Sequence, residues 1–342
     1  MVMSVDEKFE LIKRNTEEIV TEEALKELLK KKNKPVVYLG TAITGRPHVG
    51  YFAWVLKMAD FLRAGFKVKV LLADLHGALD NCPWTELERR YDYYESVIPL
   101  MFKAIGVEIK ELEIVKGSEF QLKPEYTFDI LKMSSFTSIN DCKRAASEVV
   151  KFGENPQLSG LVYPIMQSLD EVYLEADVQY GGVDQRKILM FARENLPKIG
   201  YPARVEVMTP LIPGLIGKKM SASDEKSKID LLDDEKTIKN KLNGAEMVAG
   251  NSDNGVMAFL KYVVMTIKMD KKEKFVIKRD KKFGGDVSYK NYEEIEKDFV
   301  DKKIHPLDLK NAVAGEIFEL LKPIQKDKKA HELAKKAYEK II

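Results

Sequence analysis

Residues 36–50 read VVYLGTAITGRPHVG, a stretch that predicts a strand, a sharp turn and the start of a helix. Residues 36–39 are apolar apart from the hydroxyl of Tyr38, as expected for a strand buried inside a parallel sheet. Glycines and Pro47 then interrupt the regular pattern. From Phe52 onward, apolar residues recur at helical spacing until Gly65. The stretch therefore predicts the strand–turn–helix unit that opens an α/β domain.

Strands and helices continue to alternate after this unit. Further strands are predicted at 68–73, 112–115, 178–182 and 205–208, with helices at 52–62, 85–105, 125–133, 140–152, 158–174 and from 184. Two helices precede the first strand: Ser4 and Glu7 form a capping box, Ile19 extends the apolar stripe, and Thr21 begins the second helix. Strands and helices at this spacing form a right-handed parallel sheet, whose ligands bind at the carboxyl ends of the strands.

The sequence predicts an α/β fold in two parts. A Rossmann-like domain occupies residues 1–225, with a helical insertion at about 117–175, and a mainly α-helical domain occupies residues 226–342. Residues 1–225 hold 30 Lys and Arg against 33 Asp and Glu, a balance of −3. Residues 226–342 hold 26 against 21, a balance of +5. A basic second domain suits a polyanionic partner, although lysine-rich helices are more commonly only solvated faces.

Composition excludes several other classes of protein. The sequence holds no run of 18 apolar residues, so we expect no membrane association, and its charged N-terminus does not resemble a signal peptide. Cys82 and Cys142 are the sole cysteines and form no Cys/His cluster, which indicates reduced thiols in the cytoplasm and no structural metal.

Two loops carry residues suited to phosphate chemistry. The first is the turn before the helix, where backbone N–H groups and His48 favour an anion. The second, residues 217–224, reads GKKMSASD and combines Lys218 and Lys219 with the hydroxyls of Ser221 and Ser223. Such a loop suits a developing pyrophosphate charge. Taken singly, each loop is equally consistent with a capped helix or a solvated surface loop.

Together these loops resemble the HIGH and KMSKS signatures of class I aminoacyl-tRNA synthetases, separated by roughly 170 residues. Two later tracts, YPIMQSLD at 163–170 and QYGGVDQRK at 179–187, resemble the tyrosyl-tRNA synthetases of archaea and eukaryotes. The similarity extends over about residues 5–325. It implies activation of L-tyrosine with ATP, accompanied by Mg²⁺, and transfer of the tyrosyl group to tRNA(Tyr).

The resemblance also implies roles for individual residues. The tyrosine site comprises Tyr38 and Asp170 at the phenolic hydroxyl, with Tyr163, Gln167 and Gln185 at the amino group, ring and carboxylate. The ATP site comprises Gly40, Thr41, His48, Gly50, Asp184 and Lys219, with Ser221 and Ser223 beside Lys219 in the catalytic loop. Asp74 and His76 are expected to border the pocket. The tRNA-binding residues are Phe283, His305 and Asp308 at the first anticodon base and Lys143, Arg144, Arg186 and Lys187 at the acceptor stem.

The sequence departs from the family signatures at two positions. Gly50 replaces the second histidine of HIGH, and Ala222 replaces the second lysine of KMSKS. The form KMSAS also occurs in eukaryotic-type tryptophanyl enzymes, so a tryptophan-specific enzyme stays an alternative, as does a catalytically inactive tRNA-binding paralogue. The family further implies a homodimer, with contacts from residues 117–175, an anticodon-binding role for residues 226–342, and a minimal form without an appended C-terminal domain.

Overall fold

The computed structural model describes residues 3–150, 152–216 and 228–338. Its main sheet has six strands, named here in chain order: β1 (Glu18–Val20), β2 (Val36–Ala42), β3 (Lys67–Ala73), β4 (Leu112–Lys116), β5 (Val178–Gly182) and β6 (Val205–Thr209). The spatial order is β1-β6-β5-β2-β3-β4, with all neighbours parallel except the antiparallel pair of β1 and β6. The predicted α/β fold with a parallel sheet is therefore confirmed.

Helices cover the strands of this sheet and supply the connections between them. They are α1 (Val5–Lys13), α2 (Glu22–Lys31), α3 (Phe52–Arg63), α4 (Asp74–Leu79), α5 (Leu87–Ala104), α6 (Ser118–Gln121), α7 (Pro124–Phe136), α8 (Ile139–Ala146), α9 (Ser159–Tyr173) and α10 (Arg186–Asn195). The predicted capping box is present, because Ser4 accepts from the Glu7 backbone and the Glu7 carboxylate accepts from Ser4 N. Thr21 caps α2 with a single hydrogen bond, because its Oγ1 accepts from Ala24 N at 3.1 Å.

Two local predictions were wrong. Ile19 was assigned to the stripe of the first helix, but α1 ends at Lys13 and Ile19 lies in β1, opposite Val207 of β6. A three-residue edge strand is too short to show a period of its own and depends on its tertiary partner. The helix predicted at 140–152 ends at Ala146, and Val149 and Val150 pack into the core of the domain.

The described residues form two compact units. The first consists of those in Met1–Thr44, Met58–Glu95 and Ile109–Leu211, and the second of those in Gly45–Lys57, Ser96–Glu108 and Ile212–Ile342. The core of the first unit includes Tyr38, Tyr126 and Leu169, which are wholly buried. The predicted domain boundary at 225/226 falls outside the described residues and stays a prediction, as does the assignment of residues 117–175 to an insertion.

Beyond residue 228 the chain is mainly helical. The elements are α11 (Glu235–Asn243), α12 (Gly255–Phe259), α13 (Met265–Lys271), β7 (Phe275–Ile277), β8 (Val287–Tyr289), α14 (Tyr292–Val300), α15 (Pro306–Gln325) and α16 (Lys328–Tyr338). The sequence did not predict the antiparallel pair of β7 and β8. Among the described residues, no helix combines the length and apolarity needed to span a membrane.

Candidate active site

A polar pocket in the first unit is built where β2 faces α9. Tyr38 lies on β2 between Lys69 of β3 and Gln179 of β5, and its side chain is wholly buried. Gly40 and Thr41 follow at the carboxyl end of the same strand. The Tyr38 hydroxyl donates to the Gln167 carbonyl at 3.3 Å and accepts from Gln179 Nε2 at 2.9 Å. The carboxyl end of β2, where Gly40 and Thr41 lie, is the end at which ligands of parallel α/β sheets bind.

Helix α9 brings three of the predicted residues to one face. Tyr163, Gln167 and Asp170 are spaced four and three residues apart, so their side chains project from the same side of the helix. Tyr163 and Asp170 are buried, whereas Gln167 is partly exposed. The amide of Gln167 donates from Nε2 to Gln185 Oε1 at 3.2 Å, which joins α9 to the turn after β5.

Two residues that were not predicted hold the Asp170 carboxylate. Its Oδ1 accepts from Gln121 Nε2 at 2.7 Å and from the Tyr126 hydroxyl at 2.8 Å. Burial raises the pKa of Asp170 to about 7, although the hydrogen bonds from Gln121 and Tyr126 act in the opposite direction. Protonation of Asp170 is therefore sensitive to pH near neutrality, and the ionised form is an acceptor held in one orientation.

His76 closes one side of this cluster as a neutral ring. Burial lowers the pKa of His76 to about 4, so its 3.8 Å approach to Asp170 Oδ2 is a contact with a neutral imidazole rather than an ion pair. The ring also meets Tyr163 edge-on, with centroids 4.7 Å apart. Its Nδ1 lies 3.4 Å from Gln121 Nε2. His76 thus contacts the same groups that surround the Asp170 carboxylate.

Asp74 acts on the pocket through the loop after β4. It starts α4 at the carboxyl end of β3, and its Oδ1 accepts from Ser118 N at 2.9 Å. A Cβ at Gly117 would lie 2.8 Å from that oxygen and 2.7 Å from Gln121 Oε1. A glycine is therefore required where this loop approaches Asp74, and the loop in turn places Gln121 beside Asp170.

Asp184 and Gln185 lie in the 3₁₀ turn Val183–Gln185, directly after β5. A Cβ at Gly182 would approach Asp184 Oδ1 to 2.6 Å, so the missing side chain leaves room for this carboxylate.

Gln179 on β5 was not assigned a role from sequence. A polar residue between Val178 and Tyr180 in a buried strand was the available signal. Gln121 and Tyr126 had no comparable signal in the sequence.

His48 belongs to the second unit. It is buried, and its Nδ1 accepts from Gly50 N at 3.2 Å. In this arrangement a neutral imidazole carries its proton on Nε2. His48 also forms an antiparallel bridge with Asp230, and Val49 N donates to Ile229 O at 2.9 Å. The predicted catalytic residues Lys219, Ser221 and Ser223 lie outside the described residues.

The residues predicted to contact an anticodon base are also in the second unit. Phe283 is 63% exposed, and His305 caps α15 by accepting from Leu307 N at 3.2 Å. Asp308 lies in the first turn of α15. Arg279 joins the two segments, because its Nε donates to Gly285 O at 3.0 Å and its Nη1 to Lys303 O at 3.1 Å.

The predicted acceptor-stem residues are exposed in the first unit, and three of them form ion pairs. Arg186 binds Glu18 through two hydrogen bonds of 2.6 and 2.9 Å. Lys187 lies 2.7 Å from Glu148, and Arg144 lies 2.8 Å from Asp141. Lys143 is exposed beside Arg144 on α8. Surface ion pairs of this kind contribute little to stability.

Comparison with known proteins identifies the family. The family model of class I tRNA synthetases (W and Y) matches residues 30–322. A cytoplasmic tyrosine–tRNA ligase from Danio rerio is 51% identical over 336 residues, which cover 97% of this chain and 63% of that protein. The cytoplasmic tyrosine–tRNA ligase of Saccharomyces cerevisiae is 46% identical over 346 residues, 97% of this chain and 88% of the yeast protein.

A solved structure agrees with these sequence matches. Tyrosyl-tRNA synthetase from Archaeoglobus fulgidus, crystallised with L-tyrosine, superimposes with a TM-score of 0.86 at 39% identity and covers 96% of this chain and 99% of that one. A family match of this extent places the chain among the class I tRNA synthetases. Within that class, the chain belongs to the tyrosine–tRNA ligase family, as the yeast and archaeal relatives show.

Proposed function

We propose that this protein activates L-tyrosine with ATP and transfers the tyrosyl group to the 3′-terminal ribose of tRNA(Tyr). The observation that carries the proposal is the buried Asp170 carboxylate, held by Gln121 and Tyr126 beside the Tyr38 hydroxyl. The similarity to tyrosine–tRNA ligases supports it further. The chain spans 63% of the length of the Danio rerio relative, so the activity of the whole protein is part of the proposal.

The pocket is suited to a hydroxylated ring. Asp170 accepts a hydrogen bond from the substrate phenol, and the Tyr38 hydroxyl, itself held by Gln179, provides a second partner. A substrate without this hydroxyl leaves the buried carboxylate short of a partner, at a cost of about 1–3 kcal/mol or more for a charged group. Discrimination against phenylalanine follows from that cost. The tryptophan-specific alternative is disfavoured for a related reason: a phenol hydroxyl can both donate to Asp170 and accept from a second group, whereas an indole N–H can only donate.

The amino and carboxylate groups of the substrate are bound by residues at the other end of the pocket. Tyr163, Gln167 and Gln185 offer hydroxyl and amide groups for the ammonium and carboxylate, and the Gln167–Gln185 hydrogen bond fixes their orientation. Asp184 accepts from the ribose hydroxyls of ATP. Gly40 and Thr41, at the end of β2, line the pocket next to the adenylate.

Activation is an in-line displacement at the α-phosphate of ATP. A tyrosine carboxylate oxygen forms the new bond to phosphorus, the bond to the β-phosphate bridge breaks, and pyrophosphate leaves. His48 donates from Nε2 to the triphosphate, near the backbone of Gly50. Lys219 neutralises the charge of the leaving pyrophosphate, and Ser221 and Ser223 offer hydroxyl donors beside it. Mg²⁺ arrives with ATP as part of the substrate, bound to its phosphate oxygens.

In the second step, the terminal ribose hydroxyl of tRNA attacks the adenylate carbonyl, and AMP leaves. Phe283 and His305 stack on the first anticodon base, and Asp308 accepts from its edge, which gives residues 226–342 their anticodon-binding role. Stacking on an aromatic side chain contributes about 1–3 kcal/mol per base. Lys143, Arg144, Arg186 and Lys187 bind the acceptor stem. The exposure of Phe283 supports this role, since its ring is not buried in the hydrophobic core and is accessible to a base.

We further propose that the protein is a homodimer in the cytoplasm. The segment 117–175 exposes several large apolar side chains, of which Phe128 and Leu131 lie three residues apart on α7. The others are Leu122, Phe136, Ile139 and Leu158. A second copy of the chain is the partner that we propose for these exposed apolar side chains. The location is inferred from the relatives, which are named as cytoplasmic proteins.

The test of the proposed function is ATP–pyrophosphate exchange measured separately with each of the twenty amino acids. We expect exchange with tyrosine, and rates about 5- to 150-fold lower with phenylalanine and tryptophan, which corresponds to about 1–3 kcal/mol for an unpaired buried group. Exchange with tryptophan alone would establish the tryptophan-specific alternative. Absence of exchange with every amino acid, in a folded protein that still binds tRNA, would establish the inactive paralogue.

A further inference from the structure

The last described turn of α16 contacts the loop that precedes His48. The Tyr338 hydroxyl donates to the Gly45 carbonyl oxygen at 2.8 Å. The guanidinium carbon of Arg46 lies 5.6 Å from the centre of the Tyr338 ring, within cation–π range. Both partners belong to the second unit. Helix α16 is itself anchored there, because it buries a stripe of small residues, Ala330, Ala334 and Ala337.

Arg46 connects this contact to Asp230. Its Nη2 donates to Asp230 Oδ1 at 3.2 Å, and its Nε lies 2.7 Å from Oδ2. The side chain of Asp230 is only 6% exposed, and its Oδ1 also accepts from Leu232 N at 2.9 Å. A buried carboxylate with several fixed donors is held in one place, so the Arg46 guanidinium is fixed between Asp230 and the Tyr338 ring.

Backbone contacts link Asp230 and its neighbour Ile229 to His48 and Val49. Asp230 pairs with His48 in an antiparallel bridge, and Ile229 O accepts from Val49 N at 2.9 Å. The segment around His48 is therefore held on both sides. Gly45 and Arg46 are held by Tyr338 and Asp230 before the histidine, and Val49 is held by Ile229 after it.

We infer that Tyr338, Arg46 and Asp230 are positioning residues for adenylate formation, which hold the His48 imidazole where it meets the triphosphate. The inference rests on the proposed role of His48 and extends the catalytic machinery to the far C-terminal helix α16. Displacement of a catalytic donor by a fraction of an ångström weakens its hydrogen bond in the transition state. The Tyr338–Arg46–Asp230 cluster therefore acts on the ATP step, and the tyrosine pocket of the first unit does not depend on it.

The experiment compares Tyr338→Phe with Tyr292→Phe as a matched control. The first variant removes only the hydroxyl that binds Gly45 O, and the second removes a hydroxyl that donates to Glu296 at 3.1 Å within the same unit. Tyrosine-dependent exchange is measured with ATP varied, tyrosine affinity is measured by equilibrium dialysis without ATP, and each Tm is recorded. A second pair, Arg46→Met and Arg46→Lys, tests whether the conservative replacement restores part of the loss.

We expect Tyr338→Phe to lower kcat/KM for ATP about fivefold, the size of effect typical for one lost hydrogen bond. Tyrosine affinity and Tm should match those of Tyr292→Phe, and Arg46→Lys should lie between wild type and Arg46→Met. Equal kcat/KM for ATP in the two tyrosine variants would overturn the inference, as would a parallel loss of tyrosine affinity. Lack of exchange in the wild-type protein would instead overturn the proposed function, so the two failures are distinguishable.

Discussion

At the scale of the residue, the site depends on how one buried carboxylate is held. Asp170 is 1% exposed, and its orientation comes from Gln121 and Tyr126, which lie far from it in sequence. Tyr38 does not donate to Asp170 but to the Gln167 carbonyl, and burial, followed by the negative charge of Asp170, raises the pKa of the Tyr38 phenol. Tyr38 therefore stays a neutral hydroxyl that can both donate and accept.

Replacement of Asp170 by Asn should weaken the preference for tyrosine. The variant keeps the volume but loses the charge, so the ratio of kcat/KM for tyrosine over phenylalanine should fall by about 5- to 150-fold, as expected for about 1–3 kcal/mol. Exchange kinetics with both amino acids measure this ratio. Asp129→Asn is the matched control, because Asp129 is also buried and accepts from Tyr173 at 2.9 Å and Tyr201 at 2.6 Å. Unchanged selectivity in the Asp170 variant would contradict the assignment of the phenol site.

At the scale of the element, α9 and β6 each contribute one buried glutamate to a pair of acids. Glu171 and Glu206 are both wholly buried, and within the described part of the chain none of their four carboxylate oxygens has a hydrogen-bond partner. Burial raises the pKa of Glu206 to about 8, opposed by Arg193 and Arg204. Burial and the neighbouring Glu206 also raise the pKa of Glu171. Two buried carboxylates cannot both ionise cheaply, so the pair retains a proton near neutral pH.

This pair makes stability dependent on pH. The folded state binds the proton of Glu206 more tightly than the unfolded state does, so stability decreases as pH rises from the ordinary pKa of 4.5 towards about 8. Glu206→Gln should remove part of that decrease and stabilise the protein at pH 8 by about 2–4 kcal/mol, with a smaller effect at pH 5. Urea unfolding at the two pH values measures the difference.

The control for this prediction is Glu235→Gln, which removes an exposed carboxylate paired with Lys239 on α11. Its effect on unfolding should be within about 0.5 kcal/mol at both pH values, as is usual for a surface substitution. The idea fails if Glu206→Gln leaves the pH dependence of unfolding unchanged, or if the variant is less stable than wild type at pH 8.

At the scale of the whole molecule, we expect two chains to associate through the apolar surface of residues 117–175. Leu131→Asp places a charge on the exposed face of α7, where the wild-type residue is 63% exposed. A buried unpaired charge is costly in an interface, so we expect the variant to sediment as a monomer at concentrations where the wild type is a dimer.

Val248→Asp is the matched control for this experiment. Val248 is 71% exposed in the second unit, so its replacement should leave the sedimentation coefficient of the wild type unchanged. A wild-type protein that sediments as a monomer would contradict the homodimer. A dimeric Leu131→Asp variant would show that the exposed face of α7 is not part of the interface.

Local patterns in the sequence determined β2 to β6, most helices and the loops that bear the chemistry, because each depends on a period or a turn within a few residues. Residues 36–39 of β2 and the face of α9 that carries Tyr163, Gln167 and Asp170 are of this kind, whereas the extension of β2 to Ala42 was not predicted. Short β1 escaped prediction because three residues show no period and need β6 as a partner.

Only the tertiary structure decided which groups meet Asp170. Tyr126 reaches it across 44 residues of chain and Gln121 across 49, while Gln179 reaches Tyr38 across 141. No local pattern encodes such meetings, since they depend on how α6 and α7 pack against α9 and on the pairing of β5 with β2. Burial has the same origin: the raised pKa of Asp170 and the neutrality of His76 come from the exclusion of water by the assembled chain. The sequence thus determined the chemical groups of the site, and packing determined their partners and their charge.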